Sequence, residues 1–195
     1  MPDAKSLGFD ALVDFPPHGA IATEVGRAIP SLNPEYTGRV FDYQDFAIDS
    51  ARRKTVTLPN FPAVMPSWDN TARKGLRAHI FHGSSPLRYR AWLAESIRRA
   101  ASDQALPEPI IFINAWNEWA EGCHLEPDEK YGYAWLNATQ TARADSTAAK
   151  RLWTEYGRNL PTLSISEEKR LSGMPLNLVL ENLRHQQNTN IKPTK

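Results

Sequence analysis

The sequence contains a single cysteine, Cys123, among 195 residues. One thiol cannot form an intramolecular disulfide, and it cannot supply the cysteine pairs of a structural zinc site. The cysteine count therefore excludes a disulfide-stapled fold. Because it is compatible with a reducing compartment, we predict a cytoplasmic protein.

Long apolar runs and an excess of one charge are also missing. No stretch approaches the roughly 18 consecutive apolar residues that span a bilayer, and no signal-peptide core follows residues 1–5. The 23 Lys and Arg against 22 Asp and Glu give a net charge of +1, which offers no broad attraction to nucleic acid or anionic lipid. We therefore predict no transmembrane segment, no nucleic-acid partner and a neutral or weakly charged substrate.

The sequence also has no glycine-rich phosphate-binding motif and few metal ligands. Cys123, His124, Glu126 and Asp128 are close together, but no second His/Cys cluster completes a coordination shell. We predict neither a metal nor a cofactor. Tryptophan and proline are frequent instead, with six and 15 residues. Aromatic faces stack on sugar rings, although six tryptophans are equally compatible with a Trp-rich core.

Short apolar runs alternate with amphipathic segments along the chain. The candidate strands are residues 9–15, 36–43, 63–65 and 109–113. The last of these is continuously apolar, which is typical of a strand covered on both faces in a parallel sheet. Helices are predicted after Tyr43, from Pro86 to Ala100, at residues 133–143 and 146–156, and around residues 176–183.

The helix from Pro86 has the clearest start signal. Ser85 caps free amides, and proline is preorganised for the first helical position. Apolar residues then recur at helical spacing, opposite the charged Arg88, Glu95 and Arg99. We predict a surface helix that packs on a sheet with one face.

Strands that alternate with helices predict an α/β fold with a parallel sheet. Only three or four strand-helix units are present, whereas a (β/α)8 TIM-type barrel has eight in about 250 residues. We predict that residues 1–144 are the carboxyl-terminal part of such a barrel, truncated at the amino terminus. A helical extension over 145–187 and a disordered tail over 188–195 would follow. Half a barrel exposes strand edges, so we expect it to aggregate, oligomerise or bind a separate chain that completes the barrel.

Two glutamates, Glu118 and Glu121, follow the apolar run at residues 109–113. Glycosyl transfer needs one carboxyl group to protonate the leaving oxygen and a second group to act as base or nucleophile. A helical turn after Trp116 would bring both carboxylates to one side, at the strand end where barrel enzymes carry catalytic groups. Trp116 and Trp119 would desolvate one carboxyl group and stack on a pyranose. The alternative is that both glutamates are solvated residues of an ordinary helix start.

Further candidate sugar contacts lie beside these glutamates and after an earlier strand. Asp69 and Asn70 follow the strand at residues 63–65 and are suited to bind hydroxyl groups, but either fits equally well as a helix cap. The predicted substrate-binding residues are Trp68, Asp69, Asn70, Trp116, Asn117, Trp119, His124 and Glu126.

Residues 112–128, which contain the segment Asn-Glu-Trp-Ala-Glu-Gly at 117–122, resemble the signature of the WbsX-like family. That family is described as glycosyltransferases of bacterial surface-polysaccharide gene clusters, and it is similar to glycoside hydrolase family 99, the endo-α-mannosidases. Residues 9–18 and 66–73 resemble earlier family motifs in the same order. The resemblance covers residues 7–141, and its long glutamate-containing motif is the most specific part.

The resemblance also implies roles for the two glutamates. By analogy with family 99, Glu118 is the base that activates the sugar 2-hydroxyl and Glu121 is the general acid/base, in a route that retains anomeric configuration. Cys123 departs from the family pattern, where threonine or asparagine is more usual.

We therefore predict a carbohydrate-active barrel enzyme that cleaves or transfers glycosyl units in bacterial surface-polysaccharide metabolism of the lipopolysaccharide O-antigen type. Its partners would be a glycan and, in the transferase version, a nucleotide-sugar donor. Hydrolase and transferase both remain open. A non-catalytic sugar-binding or remnant module is the alternative.

Overall fold

A computed structural model describes residues 4–19, 21–30, 32–53, 58–143, 146–156 and 159–190. Its helices are α1 Tyr43–Arg52, α2 Thr71–Lys74, α3 Pro86–Ser102, α4 Ala134–Ala142, α5 Ser146–Tyr156, α6 Ile165–Ser172 and α7 Leu176–Asn190. Its strands are β1 Leu12–Val13, β2 Arg39–Asp42, β3 Asn60–Phe61, β4 Ala63–Val64, β5 His79–His82, β6 Phe112–Ile113, β7 Asn117–Glu118 and β8 Cys123–His124. Short 3-10 turns lie at Ala4–Leu7, Gly26–Ala28, Gly75–Arg77 and Trp119–Glu121.

Three parallel segments form the sheet that leads to the candidate site. β1 pairs with β3, and β4 pairs with β6, in both cases in parallel. Pro62 alone separates β3 from β4, and its carbonyl accepts a hydrogen bond from Phe112 N at 3.0 Å. Residues 60–64 therefore lie between β1 and β6. The connections between these segments contain α1 and α3, which confirms the predicted alternation of strands and helices.

A second parallel pair is formed by β2 and β5. The predicted extended segment at residues 36–43 is thus confirmed at Arg39–Asp42, but its partner is a strand that the apolar pattern did not indicate. Asp69 forms an isolated antiparallel bridge with Ile80 of β5. This bridge holds the loop after β4 against the second pair.

The sheet pairings of the described residues do not close into a barrel. The α/β class is supported, whereas the prediction of a barrel fragment is not confirmed. The expectation that residues 109–113 are covered on both faces is wrong, because Ile110 is 43% exposed and Phe112 is 44% exposed. A continuously apolar sequence shows that the side chains on both faces of the strand are apolar, but it does not show what covers each face.

The helix predicted after Tyr43 is confirmed by α1. Asp42 caps it by accepting a hydrogen bond from Asp45 N at 2.8 Å. Its predicted apolar face is buried, with Tyr43, Phe46 and Ala47 each no more than 1% exposed. This face packs toward α3.

The helix α3 is the centre of the molecule, and the prediction that it lies at the surface is wrong. It packs against α1, α4, α5 and α6, so Arg90 is fully buried and Glu95 is 5% exposed. Arg90 Nη1 donates to the carbonyl of Leu171 at 3.0 Å, and Arg98 donates two hydrogen bonds to the Glu95 carboxylate. Helical periodicity identifies the most apolar stripe, but it does not show that other helices cover the polar side.

The carboxyl-terminal helices share this core. The predicted helices at residues 133–143 and 146–156 are confirmed by α4 and α5, and α6 was not predicted. Leu152, Leu171 and Leu183 lie in the same hydrophobic cluster as Trp92 of α3. The helix α7 continues to Asn190, so the predicted disordered tail is wrong for residues 188–190, and residues 191–195 lie outside the described part. None of the described helices is long and apolar enough to cross a membrane.

Candidate functional site

The two candidate glutamates lie on a tight hairpin directly after the parallel sheet. β7 and β8 pair in antiparallel fashion, with Asn117 opposite His124 and Glu118 opposite Cys123. The 3-10 turn Trp119–Glu121 and Gly122 connect them. The helical turn thus begins after Glu118 rather than after Trp116.

Gly122 is required at the end of this turn. Its φ of 58° and ψ of 30° lie in the left-handed region, and a Cβ there would lie 2.9 Å from the carbonyl oxygen of Asp69. The hairpin and the loop after β4 are therefore in direct backbone contact. Ser67 Oγ donates to the Gly122 carbonyl at 2.5 Å, and Asp69 N donates to the Glu121 carbonyl at 2.8 Å.

Glu118 and Glu121 meet different surroundings. Glu118 is exposed, and its carboxylate takes no hydrogen bond or ion pair from any residue that the structure describes. Glu121 forms an ion pair with Arg73 of α2 at 2.5 Å, and its side chain is 21% exposed. The charges of both carboxylates raise the pKa of the Cys123 thiol, after burial as the larger cause. Both carboxylates therefore lie close enough to Cys123 to affect its pKa, but only Glu121 is paired with a cation.

Trp119, His124 and Glu126 form a connected group beside the glutamates. The rings of Trp119 and His124 stack with their centroids 3.8 Å apart, and Trp119 Nε1 donates to Glu126 Oε2 at 2.7 Å. His124 Nε2 lies 3.1 Å from Asp128 Oδ2, which also accepts from Trp135 Nε1 at 3.1 Å. Asp128 thereby ties the exposed Trp119 to a tryptophan of the core.

Cys123 is the first residue of β8 in the hairpin, and its side chain is fully buried. Its Sγ donates to the carbonyl of Asn114 at 2.6 Å, and burial raises the pKa of the thiol to about 12. A threonine hydroxyl at this position could donate the same hydrogen bond. The thiol acts as a structural donor at the end of β6.

The other predicted sugar-binding residues are divided between surface and core. Trp116, just before β7, and Asn117, the first residue of β7, are exposed. Trp68 is 6% exposed and belongs to the hydrophobic core. Asp69 accepts a hydrogen bond from Thr71 N at 2.9 Å, and Asn70 Oδ1 accepts from His79 N at 2.7 Å. Asn70 is the N-cap residue of α2, but its side chain makes no cap hydrogen bond. The two side chains therefore fix the loop, and their contact with sugar stays a prediction.

Arg73 and Asp128 belong to the site, although neither was among the predicted site residues. Arg73 is the last residue of the earlier motif at residues 66–73, but no local pattern shows that it faces Glu121, 48 positions later. Asp128 stands four positions after His124, and its place in the sequence beside Cys123 and His124 indicates only a metal ligand. No group of three His, Cys, Asp or Glu side chains within the described ranges is arranged to hold a metal ion.

A polar cavity of about 560 Å³ lies elsewhere in the molecule. It lies between the carboxyl ends of α1 and α3, and its lining includes Asp14, Arg53, Asn60 and Arg98. None of the predicted site residues lines it. The hairpin site is thus an exposed surface rather than part of this cavity.

Comparison with known proteins adds three findings. The family described as Glycosyltransferase WbsX has a model that matches residues 1–139. Two proteins named "Uncharacterized protein WxcX", from Xanthomonas campestris pv. campestris strains B100 and ATCC 33913, are 42% and 41% identical over 141 residues. These 141 residues are 72% of this chain and 20% of each relative, so the chain spans about a fifth of their length. No solved structure matches.

Proposed function

Because the chain belongs to the WbsX glycosyltransferase family, we propose that it carries the paired-glutamate site of an enzyme that cleaves or transfers glycosyl units. The family description supports a role in polysaccharide biosynthesis. The bacterial surface-polysaccharide setting, of the lipopolysaccharide O-antigen type, is part of the proposal. The substrate would be a glycan, joined in the transferase version by a nucleotide-sugar donor.

The observation that carries this proposal is the unequal environment of Glu118 and Glu121 on one tight hairpin. Glycosyl chemistry needs two groups with different protonation tasks, and such differences come from their neighbours. Glu118 is exposed and without a partner among the described residues, so its carboxylate can accept a proton from a sugar hydroxyl. Glu121 is held by Arg73. The two carboxylates are therefore suited to two roles.

In the retaining hydrolase version, Glu118 removes the proton of the sugar 2-hydroxyl, and that oxygen attacks the anomeric carbon while Glu121 protonates the leaving oxygen and its bond breaks. In the second step, Glu121 takes a proton from the incoming water or acceptor hydroxyl, whose oxygen attacks the anomeric carbon. The bond between the 2-oxygen and the anomeric carbon then breaks, and Glu118 returns its proton to the 2-oxygen. A proton donor cannot at the same time be the carboxylate of an ion pair. We therefore propose that substrate binding separates Arg73 from Glu121, and that Glu121 takes a proton from solvent before it protonates the leaving oxygen.

The barrel and its partner are also part of the proposal. The parallel order of β1, residues 60–64 and β6, with α1 and α3 in the connections, is the arrangement expected for a sector of a (β/α)8 barrel. Val13 of β1 and Phe112 of β6 are 48% and 44% exposed. Such exposed apolar strands favour completion of the barrel by further chain.

We would test the activity with a panel of mannose-containing and bacterial surface glycans, with and without nucleotide-sugar donors. Products would be read by mass spectrometry, for this chain alone and for the chain with an amino-terminal half restored. We expect Glu118→Gln and Glu121→Gln each to reduce turnover at least about 100-fold, the size of a lost general acid or base. Glu129→Gln, an exposed glutamate outside the site, should leave turnover unchanged.

The outcomes separate the versions of the proposal. Release of sugar without a donor identifies a hydrolase, and donor-dependent extension identifies a transferase. Turnover that survives both substitutions excludes the paired-glutamate site. Absence of turnover in both forms of the chain favours the non-catalytic sugar-binding module.

A further inference from the structure

One face of the Trp119 indole is covered, and the other is open. His124 covers the first face, with an angle of 23° between the ring planes. Trp119 nevertheless remains 47% exposed. No second ring stacks on it within the part of the chain that the structure describes. A flat aromatic surface therefore faces solvent next to Glu118.

This surface is held in place from two directions. Trp119 Nε1 donates to Glu126 Oε2, which restricts rotation of the indole in its own plane. The stacked His124 is fixed in turn by Asp128, which accepts hydrogen bonds from Trp135 Nε1 and from Tyr131 N. Trp135 is 2% exposed and belongs to the core. Because the ring is already ordered, a ligand that stacks on it loses little additional side-chain entropy.

A carboxylate oxygen completes the surface. Glu126 uses Oε2 for Trp119, while its Oε1 takes no hydrogen bond from another described residue. An aromatic face with an acceptor at its edge fits a pyranose, which has an apolar face of C–H groups and hydroxyl donors around its rim. A flexible polyol offers the donors but no rigid apolar face.

We propose that Trp119 and Glu126 form a subsite for one neutral pyranose ring, which stacks on the open indole face and donates a hydroxyl hydrogen bond to Glu126 Oε1. This subsite rests on the proposed function, because it would hold a sugar of the glycan beside Glu118 and Glu121. His124 and Asp128 act as positioning residues beneath the indole. The subsite requires binding and does not itself require turnover.

The test measures binding by NMR on the complete chain. In a ¹⁵N-tryptophan-labelled sample, the six tryptophans give six indole N–H signals, and Trp119→Phe identifies the signal of Trp119. Methyl α-D-mannopyranoside and methyl β-D-galactopyranoside serve as probes, and sorbitol is the control that lacks a ring. We expect at least one pyranoside to shift the Trp119 signal and sorbitol to leave it unchanged.

Affinities of the variants would be measured by ligand-observed relaxation, with thermal melting as the check on folding. Trp119→Ala should weaken pyranoside binding about tenfold, the loss of one aromatic stacking contact. Glu126→Gln, which keeps an acceptor for the indole N–H, should weaken it about threefold. Tyr133→Ala, an exposed aromatic that is 67% accessible, should bind as the unaltered chain does. If Trp119→Ala does not fold, Trp119→Phe offers a smaller aromatic face and should lose about threefold.

Equal affinity in the Trp119 and Tyr133 variants would overturn the subsite. So would sorbitol and pyranosides that shift the Trp119 signal alike. A change from oligomer to monomer on Trp119→Ala, without effect on sugar binding, would show that a second copy of the chain covers the indole. Glu118→Gln should retain pyranoside binding. Unchanged turnover in Glu118→Gln and Glu121→Gln, together with intact pyranoside binding, would remove the proposed chemistry and leave the subsite standing.

Discussion

At the scale of single residues, tryptophan shows how one residue type serves two purposes in this chain. Trp68 and Trp92 are 6% and 1% exposed and fill the core, whereas Trp116 and Trp119 are 52% and 47% exposed. The prediction grouped Trp68 with the hairpin tryptophans because each follows a strand near polar residues. Only the packing around each indole separates a core residue from a candidate sugar-binding residue.

Cys123 provides a prediction about chemical reactivity. Burial raises the pKa of its thiol to about 12, so at pH 8 about one thiol in ten thousand is ionised, and the thiolate is the reactive form. We expect a disulfide reagent such as DTNB to react with the native chain at least about 100-fold more slowly than with the chain in guanidinium. Absorbance of the released thiolate measures both rates.

The control for this experiment is Cys123→Ser, which keeps a donor for the Asn114 carbonyl and should give no reaction in either state. A native rate equal to the unfolded rate would show that the thiol is accessible. In that case the hairpin would open readily in solution.

At the scale of elements, the contact between the β7–β8 hairpin and the loop after β4 depends on Gly122. Alanine at Gly122 would adopt a left-handed conformation, which costs about 1 to 2 kcal/mol, and its Cβ would meet the Asp69 backbone at 2.9 Å. We expect Gly122→Ala to lower the free energy of unfolding by about 2 to 4 kcal/mol. Denaturant titration followed by circular dichroism measures the loss.

Gly132 offers a matched control for Gly122. Its φ of 57° is almost the same, but a Cβ at Gly132 would meet nothing within 4 Å. Gly132→Ala should therefore lose only the conformational part, about 1 to 2 kcal/mol. Equal losses in the two variants would contradict the close contact with Asp69.

At the scale of the whole molecule, buried charges join the carboxyl-terminal helices to α3. Glu168 of α6 accepts a hydrogen bond from Leu87 N at the start of α3, and Arg90 of α3 donates to Leu171 O at the end of α6. A carboxylate at a helix start and a guanidinium at a helix end both compensate the helix dipole. The helical extension is therefore an integral part of the core in this structure.

Glu168 makes the stability of the chain depend on pH. Burial raises the pKa of Glu168 above its ordinary value of 4.5, despite the opposing hydrogen bonds from Leu87 and Ser85. The folded chain therefore binds this proton more tightly than the unfolded chain, and stability falls as pH rises from 4.5 through the raised pKa. Glu168→Gln keeps an acceptor for Leu87 N and removes the titration. Relative to the unaltered chain, it should gain stability between pH 4 and pH 8.

Urea titrations across that pH range would measure the difference in unfolding free energy between the two chains. Glu181→Gln, at an exposed position of α7, is the control for the loss of one surface carboxylate. A stability difference for Glu168→Gln that stays constant or falls with rising pH would contradict the raised pKa.

Local sequence signals were sufficient for the start of α3 and for most of the helices, but they did not indicate α6 or the β7–β8 hairpin. Ser85 caps α3 by accepting from Arg88 N, Asp42 caps α1, and the predicted helix at residues 146–156 has the bounds of α5. Caps and apolar periodicity depend on residues within one or two turns of each other, so they can be read along the chain. The two candidate glutamates were likewise found from their neighbours in sequence.

Only the tertiary structure showed what lies on the far side of each element. The helix α3 is buried by helices that follow it by about 30 to 70 positions. Phe112 of β6 is exposed because no other element covers its face within the described part of the chain. The Arg73–Glu121 ion pair joins residues 48 positions apart. The sequence by itself determined most of the helical segments, the apolar run that contains β6 and the acids that follow it, because those properties are local, whereas α6 and β5 were not indicated. Which charges are paired, and which tryptophans are open to a ligand, was decided by packing between distant segments.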